Sequence, residues 1–226
     1  MHLVITVHHL NNSRSQRVLW LLEELGVPYE IVKYERDPKT LLAPKSLEAI
    51  HPLGKSPVIT DDGKTIAESG AILEYLIETY GKGRLAPARG TRAEIDYRYF
   101  MHYAEGSLMP YLLLKLVFRR VKTAPLPFFV KPIARKIADT VCGQFVDPNL
   151  TRHLAFLNAH LTKHAWFAGD ELTAADIQMS FPVESAVARA GELADVSKLA
   201  DFVKRIKARP AFQKAIERGG PYELVG

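Results

Sequence analysis

The chain has 226 residues, of which 47% are hydrophobic and 24% charged, the balance of a globular protein with one large domain or two small ones. Its net charge of +5 and pI of about 9.2 favour small anionic ligands. The sequence lacks the basic stripe interleaved with aromatic residues that is typical of nucleic-acid-binding proteins. A single cysteine, Cys142, excludes a disulfide framework and a Cys-rich metal site, and it is typical of a reducing cytoplasm. We expect Cys142 to be a small buried residue on a helix.

Targeting segments and metal motifs are not evident in the sequence. The N-terminal stretch MHLVITVHH has neither a basic n-region nor a long apolar run, so we expect no signal peptide. No window of about 18 apolar residues predicts a membrane span. His8, His9 and His51 fit no zinc-binding spacing, so we expect histidines at the surface or in packing, and no metal.

The first part of the chain alternates between strand and helix signals. Leu3 to Val7 is a β-branched run that predicts a buried strand, and His8 to Arg14 is predicted to be a polar loop. A helix is predicted from Ser15 to Leu25, with Gly26 as its stop. The run from Tyr29 to Tyr34 predicts a second strand.

The stretch from His51 to Tyr80 carries the strongest pattern. Val58-Ile59 and Thr65-Ile66-Ala67 predict two short strands, and Asp62-Gly63 between them is a hairpin signal. Glu68-Ser69 then opens a helix, with Ser69 at the predicted N-cap. A helix start offers free N–H groups and a positive dipole end to a carboxylate, while the Glu68 carboxylate suits an ammonium group. The two together fit a zwitterionic amino-acid head group.

The segments HPLGKSPVI and IAESGAILEYL resemble the glutathione-binding half of the glutathione transferase family. The resemblance implies a thioredoxin-like fold, glutathione as co-substrate and a cis bond at Ser56-Pro57, with the Ser56 backbone pairing to the cysteinyl unit of glutathione. It also implies that Glu68 and Ser69 bind the γ-glutamyl end. Lys55 is expected either to contact the glycine carboxylate of glutathione or to be a solvated turn residue.

The loop before the first helix reads NNSRSQ. A thioredoxin would carry Cys-x-x-Cys here, so two-thiol redox chemistry is excluded at this place. Alignment with the first helix of the family puts Ser13 or Asn12 where the thiol is activated. We expect Ser13 to act as a hydrogen-bond donor and not as a nucleophile, with Asn12 as the alternative; a plain helix cap is the structural alternative. With no tyrosine nearby, the chain resembles a Ser/Asn-type bacterial and fungal branch, not the Tyr-type.

The rest of the chain reads as helical. Gly81 to Gly90 predicts a linker between a thioredoxin-like domain (residues 1–80) and an all-helical domain (residues 91–226). Thr91-Arg-Ala-Glu94 is a capping box for a helix that reaches Met109 and continues, kinked at Pro110, to Arg120. Further helices are predicted over Pro132 to Phe145, Leu150 to His164, Thr173 to Ala190, Ser197 to Arg209 and Ala211 to Arg218.

Two signals inside the helical part concern its structure. Asp147-Pro148-Asn149 predicts a break or kink in what is otherwise one long helical pattern. The segment FAGDELTAADIQMS matches the buried cap motif of the family, and we expect Thr173 and Asp176 to be structural.

The sequence says less about the site that would bind the electrophilic substrate. The resemblance implies that the first helix of the helical domain lines the electrophile site, where Tyr103 and Ser107 form an i, i+4 pair. The segment APLPFFVKPIARK combines apolar and basic residues. We expect it to cover the cleft or to join a dimer interface, with contact to a membrane surface as the less favoured alternative.

The resemblance therefore implies a homodimeric glutathione transferase whose thiolate attacks electrophilic organic substrates or peroxides. Two alternatives remain open. One is a glutathione-dependent disulfide reductase on the same fold, to which the protein supplies no cysteine. The other is a catalytically idle binding or regulatory protein, which the joint presence of Ser13, Glu68 and Ser69 disfavours.

Overall fold

The computed structural model describes residues 4–190 and 192–222. The first part of the chain, residues 5–80, combines a β-sheet with α-helices. Within these residues, one four-stranded sheet has the order β2-β1-β3-β4. Its strands are β1 (Ile5–Leu10), β2 (Tyr29–Tyr34), β3 (Val58–Asp61) and β4 (Lys64–Ala67). β1 is parallel to β2, whereas β3 is antiparallel to both β1 and β4. Helices α1 (Ser15–Leu25) and α2 (Ser69–Tyr80) complete the predicted thioredoxin-like unit.

The first strand extends further than predicted. Leu3 lies outside the described residues, whereas His8, His9 and Leu10, predicted as loop, belong to β1. His8 pairs with Val32 on one side and with Val58 on the other. His9 and Leu10 continue the pairing with β2, opposite Lys33 and Tyr34. Pairing between strands therefore holds these residues in β1, although two adjacent histidines are a weak strand signal on their own.

The turns follow their sequence signals. Gly26 ends α1 at φ 67°, the left-handed conformation that glycine adopts without a steric penalty. Asp62 and Gly63 join β3 to β4 at φ 47° and 75°. Positive φ at both central residues is the hairpin geometry that an Asp-Gly pair predicts.

The helical part begins at Arg92, after residues 81–91, which contain neither helix nor strand. Thr91 caps the first helix because its Oγ1 accepts the N–H of Glu94 at 3.3 Å. The Glu94 carboxylate in turn accepts the N–H of Gly90 at 2.7 Å, so the reciprocal bond is shifted by one residue from an ordinary capping box. The helices are α3 (Arg92–Tyr103), α4 (Met109–Thr123), α5 (Lys131–Val141), α6 (Asp147–Lys163), α7 (Ala174–Ala190), α8 (Ser197–Lys207) and α9 (Pro210–Gly219).

Two π turns lie where the sequence predicted kinks. Ala104–Leu108 joins α3 to α4, and Cys142–Val146 joins α5 to α6. Each π turn ends two residues before a proline, Pro110 or Pro148. Proline has no N–H and its ring crowds the carbonyl four residues earlier, and a wider turn accommodates both effects without ending the helix. The chain therefore stays helical through Pro148 and is not broken there.

Cys142 opens the second π turn and is only partly buried, so the prediction of a buried cysteine is wrong.

The cap motif before α7 is structural, as predicted. Asp176 is fully buried and accepts the N–H groups of Phe167 and Thr173, each at 2.8 Å, as well as the Thr173 hydroxyl at 3.0 Å. Burial raises the pKa of Asp176 to about 6, and these three bonds oppose the rise. α7 packs against α1, α2 and α3, so the motif supports the contact between the two parts of the chain.

Candidate functional site

The predicted glutathione-site residues lie at one edge of the sheet. The loop with Asn12 and Ser13 follows the end of β1. β3 runs antiparallel to β1 and begins directly after Pro57. Because Val58 pairs with Ala67, Glu68 follows β4 at the same edge. Strand pairing therefore collects residues from three distant segments.

Ser13 is buried, with 4% of its surface exposed. Its Oγ accepts the N–H of Ser15 at 3.2 Å and lies 2.6 Å from the Ser15 Oγ. The same oxygen lies 3.5 Å from the Oγ of Ser56. Arg14 occupies the N-cap position of α1 and makes no side-chain cap bond, so the cap-like bond comes from Ser13, one residue earlier.

Asn12 turns the chain from β1 into α1. Its φ is 48°, a left-handed conformation that asparagine tolerates better than most residues. Its carbonyl accepts a bond from Arg36 Nη2 at 3.5 Å. Asn12 and Ser13 are thus neighbours in one tight loop, with Ser13 the more deeply buried of the two.

The Ser56-Pro57 bond is cis, as predicted. The Ser56 hydroxyl donates to the carbonyl of His8 at 2.9 Å and accepts the N–H of Leu10 at 3.4 Å. These bonds tie the loop before β3 to the end of β1. Lys55, one residue earlier, is exposed at the rim.

The start of α2 differs from the prediction in its cap. Ser69 is the first residue of the helix and is 4% exposed, while Glu68 holds the N-cap position without a side-chain cap bond. Glu68 has φ 72° and ψ 124°, which costs a non-glycine residue roughly 1–3 kcal/mol. Such strain persists where the surroundings impose it, often at ligand sites. Glu68 also lines a cavity of about 460 Å³ with Gly70, Glu105 and Gln178.

An ion-pair cluster, missed by the sequence analysis, lies beside this cavity. Arg17 Nη1 donates to Glu105 Oε1 at 2.7 Å and to Gln178 Oε1 at 3.0 Å. Arg14 Nε donates to both Glu105 oxygens at 3.0 Å. Burial lowers the pKa of Arg17 to about 10, and Glu105 opposes this. Burial alone would raise the pKa of Glu105, but Arg17 and Arg14 outweigh it and hold that pKa below its usual value.

The two residues predicted for the acceptor pocket have different surroundings. Tyr103 is 5% exposed, its ring packs against Phe100 and Phe156, and its hydroxyl bonds to His153 Nδ1. That hydroxyl is therefore engaged within the helical core. Ser107 lies in the first π turn and is partly exposed.

The strand histidines are packing residues. His8 Nδ1 lies 3.0 Å from the Tyr34 hydroxyl, and His9 Nδ1 lies 2.8 Å from the Ser15 Oγ. Among residues 4–190 and 192–222, no group of three or more His, Cys, Asp or Glu is arranged to hold a metal ion. Nor does any helix in these ranges combine the length and the apolar character that crossing a membrane requires.

Two family models match the chain. The model of the glutathione S-transferase N-terminal domain matches residues 3–78, and that of the C-terminal domain matches residues 127–210. Glutathione S-transferase 3 of Schizosaccharomyces pombe is 36% identical over 216 residues, which cover 95% of this chain and 88% of the relative.

Solved structures extend the likeness to three dimensions. A glutathione S-transferase from Actinobacillus pleuropneumoniae matches with a TM-score of 0.80 at 30% identity, covering 98% of this chain and 95% of the other. URE2P6, a glutathione transferase from Phanerochaete chrysosporium solved in complex with oxidized glutathione, shares the fold with a TM-score of 0.72 at 22% identity, covering 95% of this chain and 96% of the other.

Proposed function

Because the chain belongs to the glutathione S-transferase family, we propose that it binds glutathione at the sheet edge and transfers the glutathione thiolate to electrophilic organic substrates, with peroxides as a second substrate class. The observation that carries this proposal is the approach of Ser13 Oγ to within 3.5 Å of Ser56 Oγ beside a cis peptide bond. It places a hydroxyl at a helix start next to the segment that would hold the cysteinyl unit of the tripeptide.

Glutathione would lie along this edge of the sheet, with its γ-glutamyl end at α2 and its glycine end at Lys55. The γ-glutamyl ammonium group pairs with Glu68, and its carboxylate meets the N-terminus of α2 at Ser69. The Ser56 backbone pairs with the cysteinyl unit, and Lys55 contacts the glycine carboxylate. Ser13, or Asn12 in its place, then donates a hydrogen bond to the thiolate. The acceptor pocket extends toward the first π turn, where Ser107 is partly exposed.

A single hydrogen bond from Ser13 is strong enough to account for most of the free energy needed to ionise the thiol at neutral pH. A free thiol has a pKa of about 8.5, and lowering it by about two units requires roughly 2.7 kcal/mol of preference for the anion. A hydrogen bond to a charged group contributes about 1.5–3 kcal/mol. One hydroxyl beside the positive end of α1 therefore supplies most of the shift.

The test is retention on glutathione-agarose, followed by turnover of an aryl halide, a peroxide and a mixed disulfide. We expect retention, with conjugation of the aryl halide as the fastest reaction. Reduction of the disulfide alone would identify the reductase alternative, and retention without turnover would identify the binding or regulatory alternative. No retention and no glutathione-dependent turnover would overturn the proposal.

We further propose that the protein is a cytoplasmic homodimer with a domain boundary in residues 81–90. Support for the dimer comes from exposed apolar side chains on α3 and α6, namely Ile95, Tyr99 and Phe156. Light scattering after size exclusion should give twice the monomer mass of 25.3 kDa. A monomer at micromolar concentration would contradict this part of the proposal.

The loop between α4 and α5 keeps the membrane-surface alternative open. Phe128 and Phe129 are 84% and 65% exposed, beside the basic residues Lys131 and Arg135. We propose that this segment covers the cleft or joins the dimer interface. Co-sedimentation with anionic vesicles, abolished by Phe128→Ser with Phe129→Ser, would favour the membrane alternative instead.

A further inference from the structure

The Ser13 hydroxyl is the outer end of a buried hydrogen-bond chain. Ser13 Oγ lies 2.6 Å from Ser15 Oγ, which lies 2.8 Å from His9 Nδ1. Ser15 is fully buried and His9 is 5% exposed. The chain therefore runs from the candidate thiol site into the protein interior, where water does not compete for its protons.

His9, at the inner end of this hydrogen-bond chain, packs against the last helix, α9. The His9 ring lies against the end of the last helix, where a Cβ built on Gly219 would be 3.4 Å from His9 Cε1. The Gly219 backbone raises the pKa of His9, which is the effect of a carbonyl that accepts a ring proton. Since Nδ1 faces Ser15, the nitrogen that donates to Gly219 is Nε2. Burial, assisted by Lys33, lowers the pKa of His9 to about 4, so at neutral pH the ring carries only this one proton.

This tautomer determines which group donates in each hydrogen bond between Ser13, Ser15 and His9. A neutral ring with its proton on Nε2 offers a lone pair at Nδ1, so the Ser15 hydroxyl donates to His9. The other acceptor near Ser15, the Leu10 carbonyl, is more distant at 3.4 Å. Two hydroxyl oxygens 2.6 Å apart share one proton, and with the Ser15 proton on His9 that proton belongs to Ser13. The Ser13 hydroxyl thus points inward, away from a thiolate.

Gly219 is closely packed against α1 and β1. A Cβ built there would lie 2.5 Å from Leu19 Cδ1 and 3.4 Å from His9 Cε1. The end of α9 therefore lies directly against the His9 ring. The last helix of the protein thus borders the inner end of the hydrogen-bond chain that begins at Ser13.

We propose that His9 and Ser15 are positioning residues that hold the Ser13 proton inward and so keep the pKa of the bound thiol higher than Ser13 alone would set it. The inference rests on the proposed function, with Ser13 as the donor to the thiolate. To donate outward, Ser13 must give up its bond to Ser15. The structure thus contains a restraint on thiol ionisation, and removing the restraint lowers the thiol pKa.

The first test is Ser15→Ala, with the pKa of bound glutathione read from the ultraviolet absorbance of the thiolate as pH is varied. Because the lost inward bond is an ordinary neutral hydrogen bond, we expect the thiol pKa to fall by about 0.4–1 unit. A role in packing alone would lower protein stability without moving the thiol pKa downward. An unchanged or raised pKa would overturn the proposal.

A second variant changes His9, the inner end of the hydrogen-bond chain. His9→Phe keeps the ring volume but removes the acceptor at Nδ1, so we expect the thiol pKa to fall as it does in Ser15→Ala. His8→Phe is the matched control, because His8 is the neighbouring buried histidine of β1 and its Nδ1 bonds to the Tyr34 hydroxyl instead. The control should leave the thiol pKa unchanged. An equal shift in both histidine variants would overturn the proposal.

The double variant separates this inference from the proposed function. In a Ser13→Ala background, Ser15→Ala should produce no further shift, because the restraint acts through the Ser13 hydroxyl. If the wild type binds glutathione and Ser13→Ala raises the thiol pKa but Ser15→Ala does not lower it, only the restraint is wrong. If Ser13→Ala leaves the thiol pKa unchanged, Ser13 is not the donor and the restraint fails with it. If the wild type does not bind glutathione, the proposed function itself fails.

Discussion

Arg17 and Glu105 form an ion pair that joins the α/β part of the chain to the helical part, with 2.7 Å between Nη1 and Oε1. Arg17 is 1% exposed and lies in the first turn of α1, directly after the loop that carries Ser13. Glu105 lies in the π turn between α3 and α4, and it also binds Arg14 at 3.0 Å. The pair therefore holds the candidate thiol site against the helices that would bind the electrophile.

Glu105→Gln should destabilise the protein. The substitution leaves the buried Arg17 charge without its counterion, and breaking such a pair costs about 3–5 kcal/mol. Because Glu105 remains about one third exposed, we expect the lower end, about 3 kcal/mol. Urea unfolding measures the change. Asp139→Asn, which breaks the exposed pair with Lys122, is the control and should cost at most about 1 kcal/mol.

The same ion pair should make stability depend on acid pH. The pKa of Glu105 is lower in the folded protein than its usual value, so the pair stabilises the fold above the unfolded-state pKa, and this contribution is lost as pH falls through the folded-state pKa. The gap in unfolding free energy between wild type and Glu105→Gln should therefore narrow as the pH is lowered from neutral into the acid range. A gap that stays constant down to the acid transition would contradict the lowered pKa.

Ser13→Ala should raise the apparent pKa of the glutathione thiol and lower the conjugation rate at neutral pH by about ten- to a hundredfold. The physical reason is the loss of a donor to the thiolate. The measurement is the pH–rate profile of conjugation, with Asn12→Ala in parallel. An effect of Asn12→Ala alone would exchange the two roles, and no effect of either would assign activation to backbone N–H groups at the start of α1.

Glu68→Ala should weaken glutathione binding about tenfold or more, since it removes one charged hydrogen bond worth about 1.5–3 kcal/mol. The fold should persist because Glu68 is exposed and makes no side-chain cap bond to α2. Calorimetry with glutathione gives the affinity. Glu78→Ala removes another exposed carboxylate of the same helix and should leave the affinity unchanged. Equal affinities for Glu68→Ala and wild type would refute the assignment of the γ-glutamyl end.

Local signals determined most of the architecture. Gly26 and the Asp62-Gly63 hairpin each predicted the backbone geometry that the structure shows, because the preference resides in the residues themselves. The cis bond at Ser56-Pro57 was instead implied by the resemblance to the family, since most X-Pro bonds are trans. The cap motif was equally predictable, since Thr173 and Asp176 lie within one helical turn of each other. Local spacing was also enough to support a resemblance to the family.

The end of β1, the cap of α2 and the environment of Ser13 were decided only by the tertiary structure. Pairing with Lys33 of β2 holds His9 in the sheet, although the residues around it are typical of a loop. The resemblance to the family points to Ser13 as a donor, with Asn12 as the alternative. The direction of the Ser13 proton, however, depends on Ser15, on His9 and on Gly219 near the C-terminus of the protein. Hydrogen-bond direction is a property of the whole chain of partners, and folding alone brings these partners together.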